Sequence, residues 1–373
     1  MDRLTVAIVG IEHVHSGCMY TAFSNCSEKI NIIGCADIPP MEGDIVEPVS
    51  SRMERNMRQA IVGGLKVYED YKELLNLRPD VVVVCSNMRN YPRIVEAALS
   101  MDLNTVIEKP MAMTFEDGER MYKAYKNSRA SFAINWPVAW FPSFIKAKEI
   151  AASGEIGEIL RVHYRSPATL GPYIRAIEEI DHVDEEEFLK MFWYHHHIGG
   201  GASLDYGGYG CALATWIFGR QAERASGIRK NFFVKFSDVE DYINYTLDFG
   251  EGVADVEGSW STVNNGEIPT GPVIYGSKGV VVADRYSSEV KVYKQFSHSS
   301  IQPDEVFTCT PWNKLTYTLP DNLYDHIRIG TPLYEMITPE FNIKALAALD
   351  AGIRSSYSGV WEDTKHVEES ENE

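Results

Sequence analysis

The sequence predicts an α/β protein: a doubly wound parallel sheet, followed by a second α/β domain whose sheet is mostly antiparallel. In the first third of the chain, short apolar runs alternate with helical stretches, the pattern of buried parallel strands joined by helices. Further along, the predicted strands are longer and alternate between apolar and polar residues, as in a half-buried antiparallel sheet. We expect domains at residues 1–134 and 135–366 and an acidic tail at 367–373.

The strands of the first domain are predicted from apolar runs between helical stretches. They are Thr5–Val9, Ile30–Ala36, Val81–Cys85 and Thr105–Ile107, with weaker signals at Val67–Tyr68 and Ser131–Ile134. Helices are predicted at Val49–Ile61, Tyr71–Asn76 and Pro92–Ser100. Thr114, with Asp117 three residues later, marks a further helix start.

The second domain is predicted from a strand, a long loop, a helix and a hairpin. These elements are the strand Leu160–Arg165, a loop or insertion over 168–198, a glycine triplet at 199–201, a helix from about Asp205 to Phe218, and a hairpin of Tyr242–Phe249 with Val253–Trp260. Thr338 and Pro339 mark the start of the last predicted helix, since proline favours the first helical position.

Charge and hydropathy limit the classes of partner. The 373 residues carry a formal net charge of −18, so the surface repels nucleic-acid phosphates and anionic membranes. No apolar run is long enough to cross a bilayer, and no basic segment with a cleavage site precedes the first strand. We therefore expect a cytoplasmic protein with no nucleic-acid partner and no membrane association.

The turn after the first predicted strand carries part of a dinucleotide-binding fingerprint. In the pattern G-x-G-x-x-G, the glycines permit a tight turn, close approach of the pyrophosphate and close helix packing. Here Gly10 holds the first position, but Glu12 and His15 replace the other two, and an ordinary strand-to-helix turn is the alternative interpretation. The predicted cofactor-binding residues of this turn are Gly10, Ile11, Glu12, His13, Val14 and His15.

Asp37 follows the second predicted strand, where a carboxylate hydrogen-bonds the ribose hydroxyls of NAD and repels the extra phosphate of NADP. No Arg or Lys follows immediately, so the sequence favours NAD, with NADP as the alternative. A solvated turn residue is the competing interpretation of Asp37. Ser86 and Asn87, which follow the strand Val81–Cys85, are assigned to the same cofactor site.

Glu108, Lys109 and Pro110 follow a predicted parallel strand, at the edge where open α/β sheets bind ligands. The Lys109 ammonium is suited there to polarising a substrate oxygen or to lowering a neighbour's pKa, and a surface ion pair is the competing interpretation. Asp205 and Tyr209, four residues apart, would share one helix face. Beside a lysine, the Tyr209 hydroxyl could exchange a proton with an alcohol. Without the lysine, a core hydrogen bond explains the pair equally well.

Taken in order, the Gly10 turn, Asp37, Glu108-Lys109-Pro110 and the segment G-G-G-x-x-x-D-x-G-x-Y resemble the Gfo/Idh/MocA family of oxidoreductases. This family includes glucose-fructose oxidoreductase, inositol dehydrogenases and dihydrodiol dehydrogenases. The resemblance extends over nearly the whole chain, including residues 135–137, 153–157, 275–279 and 355–359. It implies a Rossmann domain, then an α/β domain with a large, open, mostly antiparallel sheet, an active site between them, and assembly as a homodimer or homotetramer.

The resemblance also implies roles for individual residues. Lys109 would support catalysis and, with Glu108 and Pro110, the position of the cofactor. Many family members have a catalytic histidine where this chain has Tyr209, but the glucose-fructose oxidoreductase and dihydrodiol dehydrogenase branches have tyrosine. Tyr209 is therefore the expected proton-transferring group, and Asp205 would orient it or bind a substrate hydroxyl.

The remaining candidates are aromatic and histidine residues near these motifs. Consecutive histidines point in different directions, and no other cluster shows a ligand spacing, so we expect no metal. His13 and His15 are expected to be cofactor-side or helix-cap contacts. Substrate contacts, with core packing or a plain loop as the alternatives, are assigned to Trp136, Tyr164, Arg165, His195, His196 and His197.

We therefore expect an NAD(P)-dependent oxidoreductase that transfers a hydride between nicotinamide and a hydroxyl or carbonyl of a sugar, cyclitol or related polyol. Tyr209, assisted by Lys109, would transfer the proton. Two alternatives use the same fold. One is an NAD-dependent glycosidase that works by transient oxidation and elimination, and the other is a non-enzymatic nucleotide or sugar sensor.

Overall fold

The computed structural model describes residues 2–167, 171, 184–262, 269–284, 288–294 and 302–367. The first sheet contains strands β1 to β6, at Leu4–Val9, Ile30–Ala36, Val67–Tyr68, Val81–Val84, Asn104–Glu108 and Phe132–Asn135. These strands are parallel and lie in the order β3-β2-β1-β4-β5-β6, which confirms the predicted doubly wound sheet. The strand order reverses between β1 and β4, and the carboxyl edge at such a point is where α/β sheets bind ligands.

Helices α1 to α6 connect these strands, at Ser16–Asn25, Val49–Asn56, Arg58–Val62, Tyr71–Asn76, Tyr91–Ser100 and Phe115–Lys126. The single helix predicted over Val49–Ile61 is wrong, because the structure interrupts it at Met57. The Met57 backbone is not helical, and its side chain is fully buried, so the chain bends there to place this side chain in the core. Thr114 caps α6 as predicted, since its hydroxyl accepts a hydrogen bond from the Asp117 backbone N–H at 3.2 Å.

The second sheet contains strands β7 to β15, at Ile159–Pro167, Arg224–Lys230, Tyr242–Asp248, Val253–Ser259, Val273–Gly276, Val280–Ala283, Glu289–Tyr293, Glu305–Thr308 and Glu362–Asp363. Their order is β14-β13-β12-β11-β7-β10-β9-β8-β15, and among the described strand pairs only β10 and β7 run parallel. The predicted hairpin of β9 and β10 is confirmed, with Tyr245 opposite Val256. A large, mostly antiparallel sheet is therefore confirmed.

Among the described residues, helices pack against one face of this sheet. Along β9, Ile243, Tyr245 and Leu247 are buried, while the alternate residues are half-buried, as a strand covered on one side requires. Helices α7 to α11 lie at Pro142–Ala152, Glu185–Phe188, Gly208–Phe218, Leu319–Ile329 and Pro339–Ser358. α7, α9 and α11 contact the strands of this sheet.

Helix α11 joins the two sheets into one structure. It begins at Pro339 as predicted, capped by the Thr338 hydroxyl, and contacts α6 and β6 as well as α9 and β8. The glycine triplet at 199–201 also lies close to the first sheet, near the end of β4. A Cβ atom added to Gly199 would come within 2.9 Å of the Met88 side chain, which follows β4. The triplet of the second domain therefore lies next to the carboxyl edge of the first sheet.

Two expectations fall largely outside the described residues: the insertion at 168–198 and the acidic tail from 367. The part from Glu185 to Ile198 consists of α8 and short helical turns. Within the described part of the chain, no helix combines the length and apolar character needed to span a bilayer.

Candidate active site

Lys109 lies at the centre of a buried cluster at the carboxyl end of β5. Its side chain is 0 % exposed, and its ammonium group forms an ion pair with the Asp205 carboxylate. The same ammonium lies 4.4 Å from the centre of the Tyr209 ring. A charge removed from water requires a counter-charge in contact, and Asp205 supplies it. The alternative of a surface ion pair at Lys109 is therefore wrong.

A local change in helical winding brings Asp205 and Tyr209 to this lysine. Residues Ser203–Gly207 form a π-helical turn that leads directly into α9. Single π-turns inside helices occur frequently at functional sites. Trp260 holds the second carboxylate oxygen of Asp205, because the indole Nε1 donates to Oδ2 at 3.0 Å. The structure thus brings Lys109, Asp205 and Tyr209 together, whereas sequence spacing alone predicted only that Asp205 and Tyr209 share a helix face.

Trp136 forms one wall of the Tyr209 site. The two rings meet edge to face, with their centres 5.3 Å apart. The Trp136 indole Nε1 donates a hydrogen bond to Asn342 Oδ1 on α11 at 2.6 Å, which fixes the ring.

Glu240 explains the last glycine of the triplet, Gly201, and the sequence analysis did not identify Glu240. Gly201 has φ +109°, and a Cβ atom there would lie 2.5 Å from Glu240 Oε1. The same Oε1 accepts a hydrogen bond from the Ser203 backbone N–H at 2.9 Å, at the start of the π-turn. The buried carboxylate therefore occupies the space that a side chain would fill, and it holds the turn that carries Asp205.

The cofactor turn requires glycine at its first position. Gly10 has φ +87°, and a Cβ atom there would lie 2.9 Å from the carbonyl carbon and oxygen of Cys85 at the end of β4. The Gly10 N–H donates to Ala36 O at 2.7 Å, so the turn also bonds to β2. Ile11 is fully buried and Val14 partly buried, so these two hydrophobic side chains pack into the core.

Glu12 turns towards the residues after β4. Its Oε2 accepts hydrogen bonds from the backbone N–H of Asn87 at 3.2 Å and from the Asn87 side chain at 2.8 Å. Burial raises the pKa of Glu12 to about 7, although the nearby Arg52 charge opposes this shift. Near neutral pH the carboxyl group can therefore be protonated, which removes the repulsion expected between Glu12 and a phosphate. Ser86 is buried, and its hydroxyl accepts a hydrogen bond from the Asn90 side chain at 3.1 Å.

Asp37 is not the solvated turn residue of the alternative interpretation. Its carboxylate is buried at the end of β2 and lies 2.6 Å from the Arg52 guanidinium on α2. Sequence reasoning missed Arg52 because only the residues directly after Asp37 were considered. An arginine on the following helix, with its side chain turned back to the strand, leaves no signal in that local pattern.

His13, His15 and Glu108 form a second cluster beside Lys109. His15 Nδ1 lies 3.2 Å from Glu108 Oε2, and the Asn135 side chain donates to the other oxygen of Glu108 at 2.6 Å. One potential metal-ligand atom from each of His13, His15 and Glu108 lies within 4.8 Å of the other two. Sequence spacing does not reveal this cluster, since Glu108 comes from a different strand.

The histidines at 195–197 have three separate partners. His195 Nε2 lies 2.8 Å from Leu189 O, His196 Nε2 lies 2.8 Å from the Tyr357 hydroxyl, and His197 Nε2 lies 2.8 Å from Gly43 O. The rings therefore diverge, as expected for consecutive residues on an irregular segment.

Tyr164 and Arg165, both predicted as substrate contacts, are neighbours on β7 and therefore point to opposite faces of the second sheet. Tyr164 is buried with Val162 on the helix-covered face of the second sheet. Arg165 lies on the other face, where its guanidinium is 3.4 Å from the Glu257 carboxylate. Only Tyr164 is on the same face as α9.

The residues at this edge fit a bound NAD. Gly10, with φ +87°, permits the tight turn that the first position of the fingerprint requires, and Asp37 directly follows β2, where the ribose hydroxyls are bound in such folds. Two buried donors near Lys109, His13 Nε2 and Trp193 Nε1, have no hydrogen-bond partner among the described residues. Buried polar groups of this kind are expected where a ligand supplies the missing partners.

Two family models match the chain. Residues 4–135 match a model described as oxidoreductase family, NAD-binding Rossmann fold, and residues 144–282 match the GFO/IDH/MocA C-terminal domain. Together the two matches span well over half of the chain and follow the two sheets.

Curated relatives give weaker, partial matches. The inositol 2-dehydrogenase of Salmonella paratyphi B is 30 % identical over 191 residues, which cover 48 % of this chain and 53 % of that protein. The myo-inositol 2-dehydrogenase of Thermotoga maritima is 24 % identical over 200 residues, covering 52 % and 54 %. The chain thus spans about half the length of the curated relatives it matches.

Solved structures of similar fold cover nearly the whole chain. A levoglucosan dehydrogenase in complex with NADH and levoglucosan has a TM-score of 0.76 at 15 % identity, covering 98 % of this chain and 100 % of that one. An oxidoreductase from Agrobacterium radiobacter, in complex with NAD⁺, L-tartaric acid and magnesium, has a TM-score of 0.74 at 15 % identity, covering 97 % and 98 %. At such identities the likeness establishes the fold. With the two family matches it leads to one conclusion: the chain belongs to the GFO/IDH/MocA family of oxidoreductases, and residues 4–135 form its NAD-binding Rossmann domain.

Proposed function

We propose that this protein is an NAD-dependent oxidoreductase acting on a CH–OH group of a sugar, cyclitol or related polyol. The observation that carries the proposal is the buried cluster of Lys109, Asp205 and Tyr209 at the carboxyl edge of the first sheet. Burying an ammonium–carboxylate pair is unfavourable unless other interactions offset it, so such a pair at a ligand-binding edge favours a catalytic role. The relatives named as inositol 2-dehydrogenases support the substrate class.

In this proposal Tyr209 transfers the proton of the substrate hydroxyl. The Lys109 ammonium stabilises the phenolate form of Tyr209 and the developing charge on the substrate oxygen. Asp205 holds Lys109 in position through their ion pair, and Trp260 holds Asp205 in position. When bound, NAD supplies the hydride acceptor, while these side chains supply orientation and electrostatics.

The substrate would lie against Trp136, whose ring contacts Tyr209. Tyr164 is a further candidate, while the separate partners of His195, His196 and His197 give these residues less support. Also part of the proposal are NAD preference over NADP, cytoplasmic location, a domain boundary near residue 134 and assembly as a homodimer or homotetramer.

The test is a turnover screen of the wild-type protein with NAD⁺ and NADP⁺ against myo-inositol, xylose and glucose, followed by Tyr209→Phe. We expect NADH formation with one or more polyols and a loss of kcat by at least about a hundredfold in Tyr209→Phe, within the usual contribution of general acid–base catalysis. Tyr275→Phe, on strand β11 of the second sheet, is the matched control and should retain full activity. A Tyr209→Phe rate close to wild type would refute the assignment of the proton-transferring group.

Further outcomes would refute the dehydrogenase function itself. Cleavage of a chromogenic glycoside without net NADH formation would replace it with a glycosidase. Tight binding of NAD without turnover of any polyol or glycoside would favour a sensor.

A further inference from the structure

His13 is a buried imidazole with one nitrogen in use and one without a partner. The ring is 0 % exposed and lies in the cofactor turn, one residue after the position usually held by the second glycine. Its Nδ1 accepts a hydrogen bond from the backbone N–H of His15 at 2.9 Å. Its Nε2 is buried and has no hydrogen-bond partner among the described residues.

These contacts determine where the His13 proton is. A backbone N–H can only donate, so Nδ1 must present its lone pair and carries no proton. Burial, followed by the charges of His15 and Lys109, holds the pKa of His13 well below its ordinary value of 6.5. The ring is therefore neutral, and its single proton is on Nε2. His13 thus presents a fixed N–H donor that has no acceptor.

Trp193 provides a second donor of the same kind. Its ring meets that of His13 at a centre-to-centre distance of 4.8 Å and lies 5.7 Å from the Lys109 ammonium. The indole Nε1 is buried and has no hydrogen-bond partner among the described residues. A buried donor without an acceptor is destabilising by about 1–3 kcal/mol, so two of them in one cluster require an explanation.

We propose that His13 is a substrate-binding residue, whose Nε2–H donates a hydrogen bond to a hydroxyl or carbonyl oxygen of the substrate, with Trp193 Nε1–H as a second donor to the same molecule. The ligand class is an uncharged, oxygen-rich polyol or the corresponding ketone. Asp205 already balances the Lys109 charge, so the cluster offers neutral donors to neutral acceptors. Both donors are shielded from solvent, so a ligand reaches them only when neighbouring side chains move. The inference rests on the proposed function and adds a residue to it.

A metal ion at His13, His15 and Glu108 is the competing interpretation, and the same contacts argue against it. Metal binding through Nε2 would require this nitrogen to lose its proton while Nδ1 still faces an N–H group. Histidine ligands normally donate their second N–H to an acceptor, which is the opposite arrangement. The nearby Lys109 ammonium also repels a cation.

The test uses His13→Asn, because the asparagine Oδ1 can replace Nδ1 as the acceptor for His15 N–H while the Nε2–H donor is removed. Trp193→Phe removes the second donor and retains the ring. His326→Asn, on α10, is the matched control, since both nitrogens of His326 bond within its own surroundings. We would measure the binding of NADH by calorimetry, kcat and KM with the best polyol found for the wild type, melting temperature, and metal content.

For His13→Asn we expect kcat/KM for the polyol to fall at least about tenfold, with NADH affinity within about twofold of wild type. The melting temperature of unliganded His13→Asn shows whether the variant folds, because the asparagine amide also carries N–H donors and is smaller than the imidazole. A substrate-binding role predicts that a saturating polyol raises the melting temperature of the wild type more than that of His13→Asn, whereas a purely structural role predicts equal shifts. Trp193→Phe should show the same pattern, and His326→Asn should match the wild type in kcat/KM.

Three results would overturn this assignment. One is a kcat/KM for His13→Asn within about twofold of the wild-type value, in a wild type that does turn over a polyol. This result would refute the role of His13 and leave the proposed function intact. Another is a weakened binding of NADH equal to the loss in kcat/KM, which would make His13 a cofactor contact. The third is one equivalent of zinc in the purified wild type that is lost in His13→Asn. A wild type that turns over no polyol would refute the proposed function and the substrate role together.

Discussion

The Arg52 guanidinium lies 2.6 Å from the Asp37 carboxylate, and less than a tenth of either side chain is exposed. Asp37, which we propose selects NAD over NADP, thus already has a cation beside it. In this proposal Asp37 repels a 2′-phosphate, whereas Arg52 attracts one, and the preference between the two cofactors depends on the balance of the pair.

Replacing Asp37 with asparagine should therefore shift cofactor preference towards NADP. Arg52 would then lack its counter-charge and could pair with the 2′-phosphate of NADP. We expect the ratio of the Kd for NADP⁺ to the Kd for NAD⁺, measured by calorimetry, to fall about tenfold, equivalent to about 1.4 kcal/mol. Arg52→Met should raise this ratio instead. Arg58→Met, which removes an exposed ion pair with Glu54, is the control. An unchanged ratio in both Asp37→Asn and Arg52→Met would contradict this account.

Glu12 should make the stability of the protein depend on pH. Its pKa is about 7 in the folded state, above the ordinary value of 4.5, so the folded chain holds the proton more tightly than the unfolded chain. The contribution of Glu12 to the free energy of unfolding, a few kcal/mol at most, is fully present below about pH 4.5 and is lost as pH rises to about 7.

Urea unfolding of wild type and Glu12→Gln at pH 5 and pH 8 measures this contribution. Glu12→Gln should gain stability relative to wild type at pH 8 and not at pH 5. Equal differences at both pH values would show that Glu12 is ionised throughout.

Gly201→Ala should destabilise the protein more than a change at another glycine of positive φ. Alanine at φ +109° is strained, and its Cβ would displace the Glu240 carboxylate that holds the π-turn. Gly219→Ala is the matched control, since Gly219 has φ +69° and nothing within 4 Å of an added Cβ atom. We expect a loss of about 1–2 kcal/mol at Gly219 from strain alone, and a larger loss at Gly201. Thermal or urea unfolding measures these losses. Equal losses of unfolding free energy in the two variants would mean that the Glu240 carboxylate can move aside without loss of stability.

Trp260→Phe should lower kcat while leaving cofactor affinity unchanged. The substitution removes the indole donor to Asp205 Oδ2, so Asp205 is free to rotate away from Lys109. We expect kcat to fall about tenfold in steady-state assays, as for the loss of one hydrogen bond to a charged group. Trp361→Phe, at a half-exposed indole stacked on Arg224, is the control. If Trp260→Phe lowers NADH affinity by the same factor as kcat, the substitution has also disturbed the nucleotide-binding domain. This result would contradict the prediction.

The sequence predicted the parallel strands to within one or two residues, because strands buried on both faces must be continuously apolar. The resemblance to the family also implied that Lys109, Asp205 and Tyr209 belong to one site, although 96 residues separate Lys109 from Asp205. Local patterns could not predict the interruption at Met57. Its cause is the fit of one side chain into the core, and the sequence on either side remains helical in character.

The missed residues Arg52, Glu240 and Trp260 share one property: each acts on a partner from a distant part of the chain. Glu240 contacts the Ser203 amide across 37 residues, and Trp260 contacts Asp205 across 55. Such a side chain must be long enough to reach the motif and able to form the hydrogen bond or ion pair there. Its neighbours in the sequence need no particular pattern, so the local sequence does not predict its role. The sequence analysis identified Gly201 as part of the glycine triplet, but it did not identify Glu240, whose carboxylate requires glycine at that position.

Helix α11 has a consequence for the order in which the protein assembles. It packs on α6 and β6 of the nucleotide domain, and Asn342 within it holds the Trp136 indole next to the active site. The ribosome completes the Rossmann strands more than 200 residues before it reaches this helix. Until then, the surface of the nascent nucleotide domain that α11 later covers is exposed. The packing of α11 on this domain, and with it the completion of the active site, therefore follows synthesis of the second sheet.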